Sequence, residues 1–242
     1  MDRPNSSVSS KAKDSFSQFW ETSFVSKNTV HISKGNSIPW IKGKIWIVLK
    51  GFIKLRAPRV DGDELILGFL GPNQVFGEPF SLIDDCSPFA LINSELLYIP
   101  VQEAYNSPPL AIAIMESLSL RNRHSELNVA VLENKNIEEK VKAFLELMAT
   151  EFGTPIAEGL KIDFRMTHQD IANAIGSTRV SITRILSKLR ETGWLKPYEV
   201  SIDGRIYLDL HPRGRSPLDQ YLKGILQWRP SNPIRKMNYM DA

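Results

Sequence analysis

The hydrophobic pattern of this chain turns from strand-like to helical at Pro108-Pro109, and that change limits what the chain can fold into. From Val30 to Pro100 the apolar residues come in short runs closed by turn residues, among them Ile45-Trp46-Ile47-Val48-Leu49 and Glu64-Leu65-Ile66-Leu67. Runs of this kind read as strands. Asp61-Gly62 lies between two of them and suits the left-handed conformations of a tight hairpin turn. Gly43, Gly51, Gly68, Gly71 and Gly77 mark further corners, as in a small barrel or sandwich of antiparallel strands. Ahead of this segment, residues 1–13 are polar and Ser-rich and read as an unstructured leader. Phe16, Phe19, Trp20 and Phe24 then recur at the spacing of a short amphipathic helix.

Beyond Pro108-Pro109 the period is helical. Ile114, Leu118, Arg121, Ser125, Asn128 and Leu132 form one seam, and Leu110, Leu120, Leu127 and Val131 a second beside it. A helix apolar on two faces can serve its own domain with one and a partner with the other. At 1.5 Å per residue it spans roughly 37 Å, which suits the spine of a dimer; a core helix of a single chain is the alternative. Asn136-Ile137-Glu138-Glu139 then caps a further helix with Val141, Phe144, Leu145 and Met148 inward, and Gly153-Thr154-Pro155 ends it.

Composition narrows the function. The chain has 242 residues, enough for two domains, and its 42% hydrophobic and 24% charged residues argue against wholesale disorder. It holds no run near the roughly 18 apolar residues of a membrane helix and no signal-peptide core, so a cytoplasmic protein is expected. The single Cys86 rules out an intrachain disulfide and cannot by itself hold an iron–sulfur cluster. A net charge of +3 permits nucleic-acid binding without establishing it. The distribution says more: between Met166 and Lys196 stand Arg179, Arg184, Lys188, Arg190 and Lys196 against Asp170 and Glu191 alone.

That basic segment holds two helix starts around a short turn. Thr167, followed by His168, caps the first, with Asp170 three residues on as the reciprocal half of a capping box. Gly176 stands where the turn needs positive φ, and Ser177 or Thr178 caps the second. Ile171, Ala172, Ile175, Val180, Ile182, Ile185, Leu186 and Leu189 supply apolar packing. Arg179 and Arg184, five apart, point about 140° from each other, and both reach a groove floor from the N-terminal half of the helix. Arginine forks pair with guanine O6 and N7, Val180 offers a surface to a thymine methyl, and Ser177, Thr178 and Thr183 can meet phosphates; Thr167, His168, Ser181 and Lys188 complete the expected DNA-contacting set, Lys188 acting mainly through salt-dependent affinity. The bland alternative is two packed helices with solvated arginines. Downstream, Tyr198 to Leu208 is split by Asp203-Gly204 and reads as a hairpin wing.

With these residues in place, residues 30–211 resemble the family of the cyclic-AMP receptor protein and the fumarate-nitrate regulator. Ile175-Gly176-Ser177-Thr178-Arg179-Val180-Ser181-Ile182-Thr183-Arg184 is most similar to its nitrogen-control branch. The resemblance implies an α+β chain of four parts: a cyclic-nucleotide-binding-like antiparallel β-barrel (jelly roll) over 14–107, a dimerisation helix over 108–135, a winged helix-turn-helix over 136–213 and an extension over 214–242. Leu218, Tyr221, Leu222, Ile225 and Leu226 in that extension suggest one more amphipathic helix. It implies a homodimeric transcription regulator on double-stranded DNA, contact with RNA polymerase, base reading by Arg179, Val180 and Arg184, and half-sites of GTA paired with TAC. The cyclic-AMP branch usually carries Glu where Val180 stands, which disfavours a TGTGA-type site.

For an effector, the resemblance points to Phe76-Gly77-Glu78 in the barrel and to Arg121 and Glu126 on the helix. The family's nucleotide binders need an Arg and a Ser or Thr after that cradle, where this chain has Ser87-Pro88-Phe89-Ala90 and no basic residue from Glu78 to Val101. A buried phosphate without a cation is costly, which argues against a cyclic nucleotide. Arg121 and Glu126 match helix residues that contact 2-oxoglutarate in the nitrogen-control branch, yet the barrel arginine of that site has no counterpart and Glu78 would repel the dicarboxylate. A solvated helix charge is the alternative for Arg121. No catalytic triad, phosphate loop, metal-ligand cluster or carboxylate pair can be assembled, so no enzyme is expected. A sensor or protein-contact module without DNA binding remains the competing reading.

Overall fold

A computed structural model describes residues 29–60, 62–156, 159–162, 164–195 and 206–208. The leader, the helix expected at Phe16 to Phe24, Asp61, the first arm of the wing with Asp203-Gly204, Lys196 and the 214–242 extension lie outside the described residues.

Seven strands form two facing antiparallel sheets. One has the order β1 (Thr29–Ile32), β7 (Ser94–Pro100), β2 (Lys44–Lys50), β5 (Val75–Phe76); the other has β4 (Glu64–Leu70), β3 (Ile53–Pro58), β6 (Ser87–Ala90). The uninterrupted apolar run of β2 is explained by burial on both faces. Trp46 and Val48 point between the sheets with Ile53, Leu55, Phe76 and Leu96, whereas Ile45 and Ile47 point outward beneath a helix with Val75, Leu97 and Ile99. The β3–β4 hairpin is present, but its loop is longer than a two-residue turn: Arg59 N–H donates to Asp63 O at 2.9 Å and Gly62 N–H to Arg59 O at 3.1 Å.

A short helix, α1 (Val101–Asn106), precedes α2 (Pro108–Glu133); sequence periodicity did not separate it from the last strand. On α2, Leu110, Ala113 and Ile114 lie against the outer face of β2, and the Ser117 hydroxyl accepts from Val75 N–H at 2.9 Å. Leu127 and Val131 join the core around α3 (Ile137–Phe152). The outward stripe is Met115, Leu118, Asn122, Ser125, Val129 and Leu132, spaced 3 and 4 apart, of which Leu118 is half-buried against the barrel and the rest are exposed. It shares Leu118, Ser125 and Leu132 with the expected seam and corrects it by one position elsewhere, because Ile114 is claimed by the barrel. No helix among the described residues is long and apolar enough to cross a membrane.

The cap of α3 is Asn136, whose side chain accepts from Glu138 N–H at 2.8 Å. The helix is buried nearly all round, with Val141, Ala143, Phe144, Leu145, Leu147, Met148 and Ala149 inside, as expected of a helix between two bodies. It ends at Gly153 as expected, but the chain continues as β8 (Gly153–Ile156) and β9 (Gly159–Ile162), a hairpin the sequence reading missed. Next come α4 (His168–Ile175), α5 (Arg179–Glu191) and β10 (Ile206–Leu208), which pairs with β9 to give a three-stranded wing.

Candidate nucleic-acid interface

The geometry of α4 and α5 begins with their caps. Thr167 Oγ1 accepts from Asp170 N–H at 3.0 Å and donates to Asp170 Oδ2 at 2.8 Å, while Thr167 N–H donates to the same Oδ2 at 2.9 Å. This is the capping box expected from the spacing. Gly176 closes α4 at φ 67° and ψ 47°, the left-handed region that glycine adopts without the Cβ penalty. Thr178, rather than Ser177, caps α5: its hydroxyl accepts from Ser181 N–H at 3.2 Å and lies 3.0 Å from Ser181 Oγ.

The two helices pack through Ile171, Ala172, Ile175, Ile182, Leu186 and Leu189 in one core. That orientation leaves Arg179, Val180, Thr183 and Arg184 on the solvent side of α5, Val180 being 62% exposed. Among the described residues neither arginine is held in an ion pair. A large apolar residue displayed between two unengaged arginines on a capped helix is a surface built for a partner.

Three further residues behave differently from one another. His168 Nδ1 lies 2.8 Å from Thr183 Oγ1, and that hydroxyl donates to Arg179 O at 2.9 Å, so the ring N–H is the donor to Thr183. Burial first, and then the charges of Arg190 and Arg179, push the His168 pKa below its ordinary value and keep the ring neutral. Ser177 is half-buried in the turn. Lys188, expected to meet phosphate, has its Nζ 2.6 Å from Glu138 Oε2 on α3, so its charge is partly committed within the chain.

Sequence reasoning missed the ion pair that joins this unit to the barrel. Lys54 Nζ of β3 lies 2.6 Å from Asp170 Oδ1 on α4 and 3.3 Å from Glu64 Oε2, and Arg56 pairs with Glu64 in turn. Lys54 is 6% exposed, as is Asp170. Burial alone would raise the Asp170 pKa; the bonds from Lys54 and Thr167 outweigh it and hold the carboxyl below its usual value. Lys54 alternates with apolar Ile53 and Leu55, a pattern that reads as a solvated outer face. The helix-turn-helix unit covers that face, a contact across 116 positions with no local signal.

The expected effector residues fall into three places. Phe76 is fully buried and stacks on Trp46 at 6.3 Å. Gly77, at φ 146°, passes so close to β2 that a Cβ would lie 2.4 Å from Lys44 O, which only glycine tolerates. Glu78 Oε2 accepts from Gly43 N–H at 3.0 Å and so fastens a turn. Arg121 is not a solvated helix charge: burial lowers its pKa, opposed by its electrostatic coupling to the Cys86 thiol inside the barrel. Glu126 faces the other way, accepting from Asn122 Nδ2 at 3.0 Å and lining an open groove of about 740 Å³ with Ile45, Phe80 and Arg123. Arg121 and Glu126 therefore do not converge within one chain. No group of three metal-ligating side chains occurs among the described residues.

Comparison with known proteins agrees with this geometry. Residues 164–195 match the bacterial regulatory proteins of the crp family. The global nitrogen regulator of Nostoc sp. PCC 7120 is 33% identical over 157 residues, spanning 61% of this chain and 70% of that protein. The regulatory protein CysR of Synechococcus elongatus is 30% identical over 187 residues, spanning 76% of this chain and 87% of that protein. Among solved structures, a CRP-family transcriptional regulator of Thermus thermophilus superposes with a TM-score of 0.62 at 17% identity, over 74% of this chain and 91% of that one, a likeness of fold. With a two-sheet barrel, a 26-residue helix and a helix-turn-helix that displays two free arginines, this chain belongs to the Crp family of bacterial regulatory proteins and is a DNA-binding regulator of transcription.

Proposed function

We propose that the chain works as a homodimer, paired along the stripe from Met115 to Leu132, that sets two copies of α5 into successive major grooves of a palindromic site. What carries this reading is the exposed set Arg179, Val180, Thr183 and Arg184 at the N-terminal half of α5. Arg179 and Arg184 read guanines, Val180 reads a thymine methyl, and Thr178, Ser181 and Thr183 meet phosphate oxygens. Likeness to the nitrogen-control branch gives GTA paired with TAC as the half-sites, and RNA polymerase as a further partner.

A small anionic effector at Arg121 modulates binding. The support is a half-buried guanidinium coupled electrostatically to the Cys86 thiol, with no carboxylate on it among the described residues. The first ligand to try is 2-oxoglutarate. No cationic group stands on β6 to hold a cyclic phosphate, so a cyclic nucleotide is disfavoured.

The test is selection of bound duplexes from a random DNA library at near-physiological salt, with and without 2-oxoglutarate. Recovery of a GTA/TAC palindrome supports the dimeric reader, and enrichment that depends on 2-oxoglutarate supports the Arg121 site. No enriched motif in either condition would overturn the reading and favour a sensor that contacts proteins instead.

A further inference from the structure

We infer that Lys54, a barrel residue outside the DNA-reading face, is a specificity-determining positioning residue. Its ion pair with Asp170 fixes the direction of the recognition helix relative to the barrel, and thereby the separation of half-sites that a dimer accepts. This rests on the two-half-site reading above.

Besides the His124–Glu151 contact between α2 and α3, the reader unit is attached to the rest of the chain in three ways. One is covalent, through residues 134–136 between α2 and α3. A second is apolar: Phe69 and Leu91 of the barrel share a core with Phe144, Phe164 and Ile171, and Phe52 packs on Phe152 at 5.7 Å and on Phe164 at 4.5 Å. Apolar contact is non-directional and allows small rotations at little cost. The third is the ion pair, which does not. Asp170 Oδ2 is taken by its own helix through Thr167, and Oδ1 is left for the barrel, where Lys54 meets it at 2.6 Å. Charge-assisted bonds of this length are short and directional.

The barrel end of the pair is equally constrained. In register, Lys54 stands opposite Phe69 on β4 and Phe89 on β6, so it rises between two aromatic rings on the outer face of the sheet. Its Nζ lies 5.4 Å from the Phe89 centroid, and Arg56 sits over the same ring at 4.7 Å. Lys54, Arg56, Glu64 and Asp170 make a cluster of balanced charge. A buried ion pair is a poor source of net stability, which leaves orientation as the better account of this one.

The consequence reaches DNA by geometry. α2 is fastened to the barrel through Leu110, Ala113 and Ile114, and α5 is packed on α4, so the Lys54–Asp170 contact sets the angle between the dimer helix and the reading helix. Lengthening the gap between half-sites by one base pair turns the second site by about 35° and moves it about 3.4 Å. A reader held firmly accepts one gap, and a reader on a loosened mount accepts neighbours.

The experiment measures affinity of the full-length protein for duplexes that carry one half-site, or two at gaps differing by single base pairs, across a salt series. Variants are Lys54→Arg, Lys54→Met, and Lys54→Met with Asp170→Asn, the last leaving no buried unpaired charge. Wild type and Lys54→Arg should favour one gap over its neighbours by about tenfold, and the double variant by about twofold or less. Single-half-site affinity and the salt slope should stay unchanged, since no exposed residue of α5 is touched and the asparagine keeps one side-chain oxygen to accept from Thr167 in the capping box. A double variant that keeps the wild-type gap preference would overturn the inference. So would equal loss on single-site and two-site duplexes, which would make the pair a support for the fold of the reader alone. Wild type with no gap preference would overturn the dimer reading itself, and this inference with it.

Discussion

Arg179 opens the recognition helix with its guanidinium in solvent and its carbonyl accepting from Thr183, so its side chain serves nothing inside the chain. Arg179→Ala should therefore leave thermal stability unchanged while costing on the order of 1–3 kcal/mol in binding to the preferred site and relaxing preference at one base position. Binding titrations on the selected site and on single-base variants check this; equal loss on every sequence would show a phosphate contact instead. The exposed face of α5 was legible because a helix face is set by local spacing alone. Lys54 was not, because its partner Asp170 is distant in sequence and its strand pattern is that of a wet surface. Arg121 was half legible: its helix position was read correctly, but its place on the barrel side follows from which face of α2 the barrel covers.

Among the elements, α4 rests on the box formed by Thr167 and Asp170, and Thr167→Ala removes one acceptor and one donor from it. Urea unfolding should register a loss of about 1 kcal/mol. The α2–α3 contact holds a second buried pair, His124 Nδ1 with Glu151 Oε2 at 3.2 Å, and Glu151 Oε1 has no hydrogen-bond partner among the described residues. Burial lowers the His124 pKa to about 4 and raises that of Glu151 well above its ordinary value. A depressed histidine contributes stability that is present above pH 6.5 and lost as pH falls toward 4, whereas a raised carboxyl contributes stability that is lost as pH rises. Over pH 6.5 to 4 the His124 share is on the order of 3 kcal/mol at most, and His124→Gln should flatten the acid limb of a stability profile by a matching amount. Long elements, such as α2 with its opening prolines and the capped α3 and α5, were legible at nearly their full length. The β8–β9 hairpin was not, because its strands are four residues each and Pro155 reads as a stop rather than as part of a strand.

For the whole molecule, the decisive surface is the stripe on α2. Val129 and Met115 are each 60% exposed in the single chain, which a monomer tolerates and a dimer would cover. Val129→Glu should leave the fold intact and produce a monomer by light scattering, with affinity for a palindrome reduced to that for one half-site; a dimer at micromolar concentration would place the partner surface elsewhere. The two-sheet barrel and the helix-turn-helix were both visible in the pattern of the chain, but their mutual docking was not. Periodicity reports which face of an element is apolar, not which body will cover a face that carries lysine among phenylalanines.

The lone thiol of Cys86 gives this molecule a chemical clock. It is 4% exposed, and burial raises its pKa against the pull of Arg121, so an alkylating reagent finds neither access nor thiolate while the barrel is closed. Each labelling event is then a record of one opening of the sheets, and the labelling rate at a fixed reagent concentration measures how often they part. A ligand seated on Arg121 should slow that clock, and one bound elsewhere on the barrel surface should leave it running at the same rate.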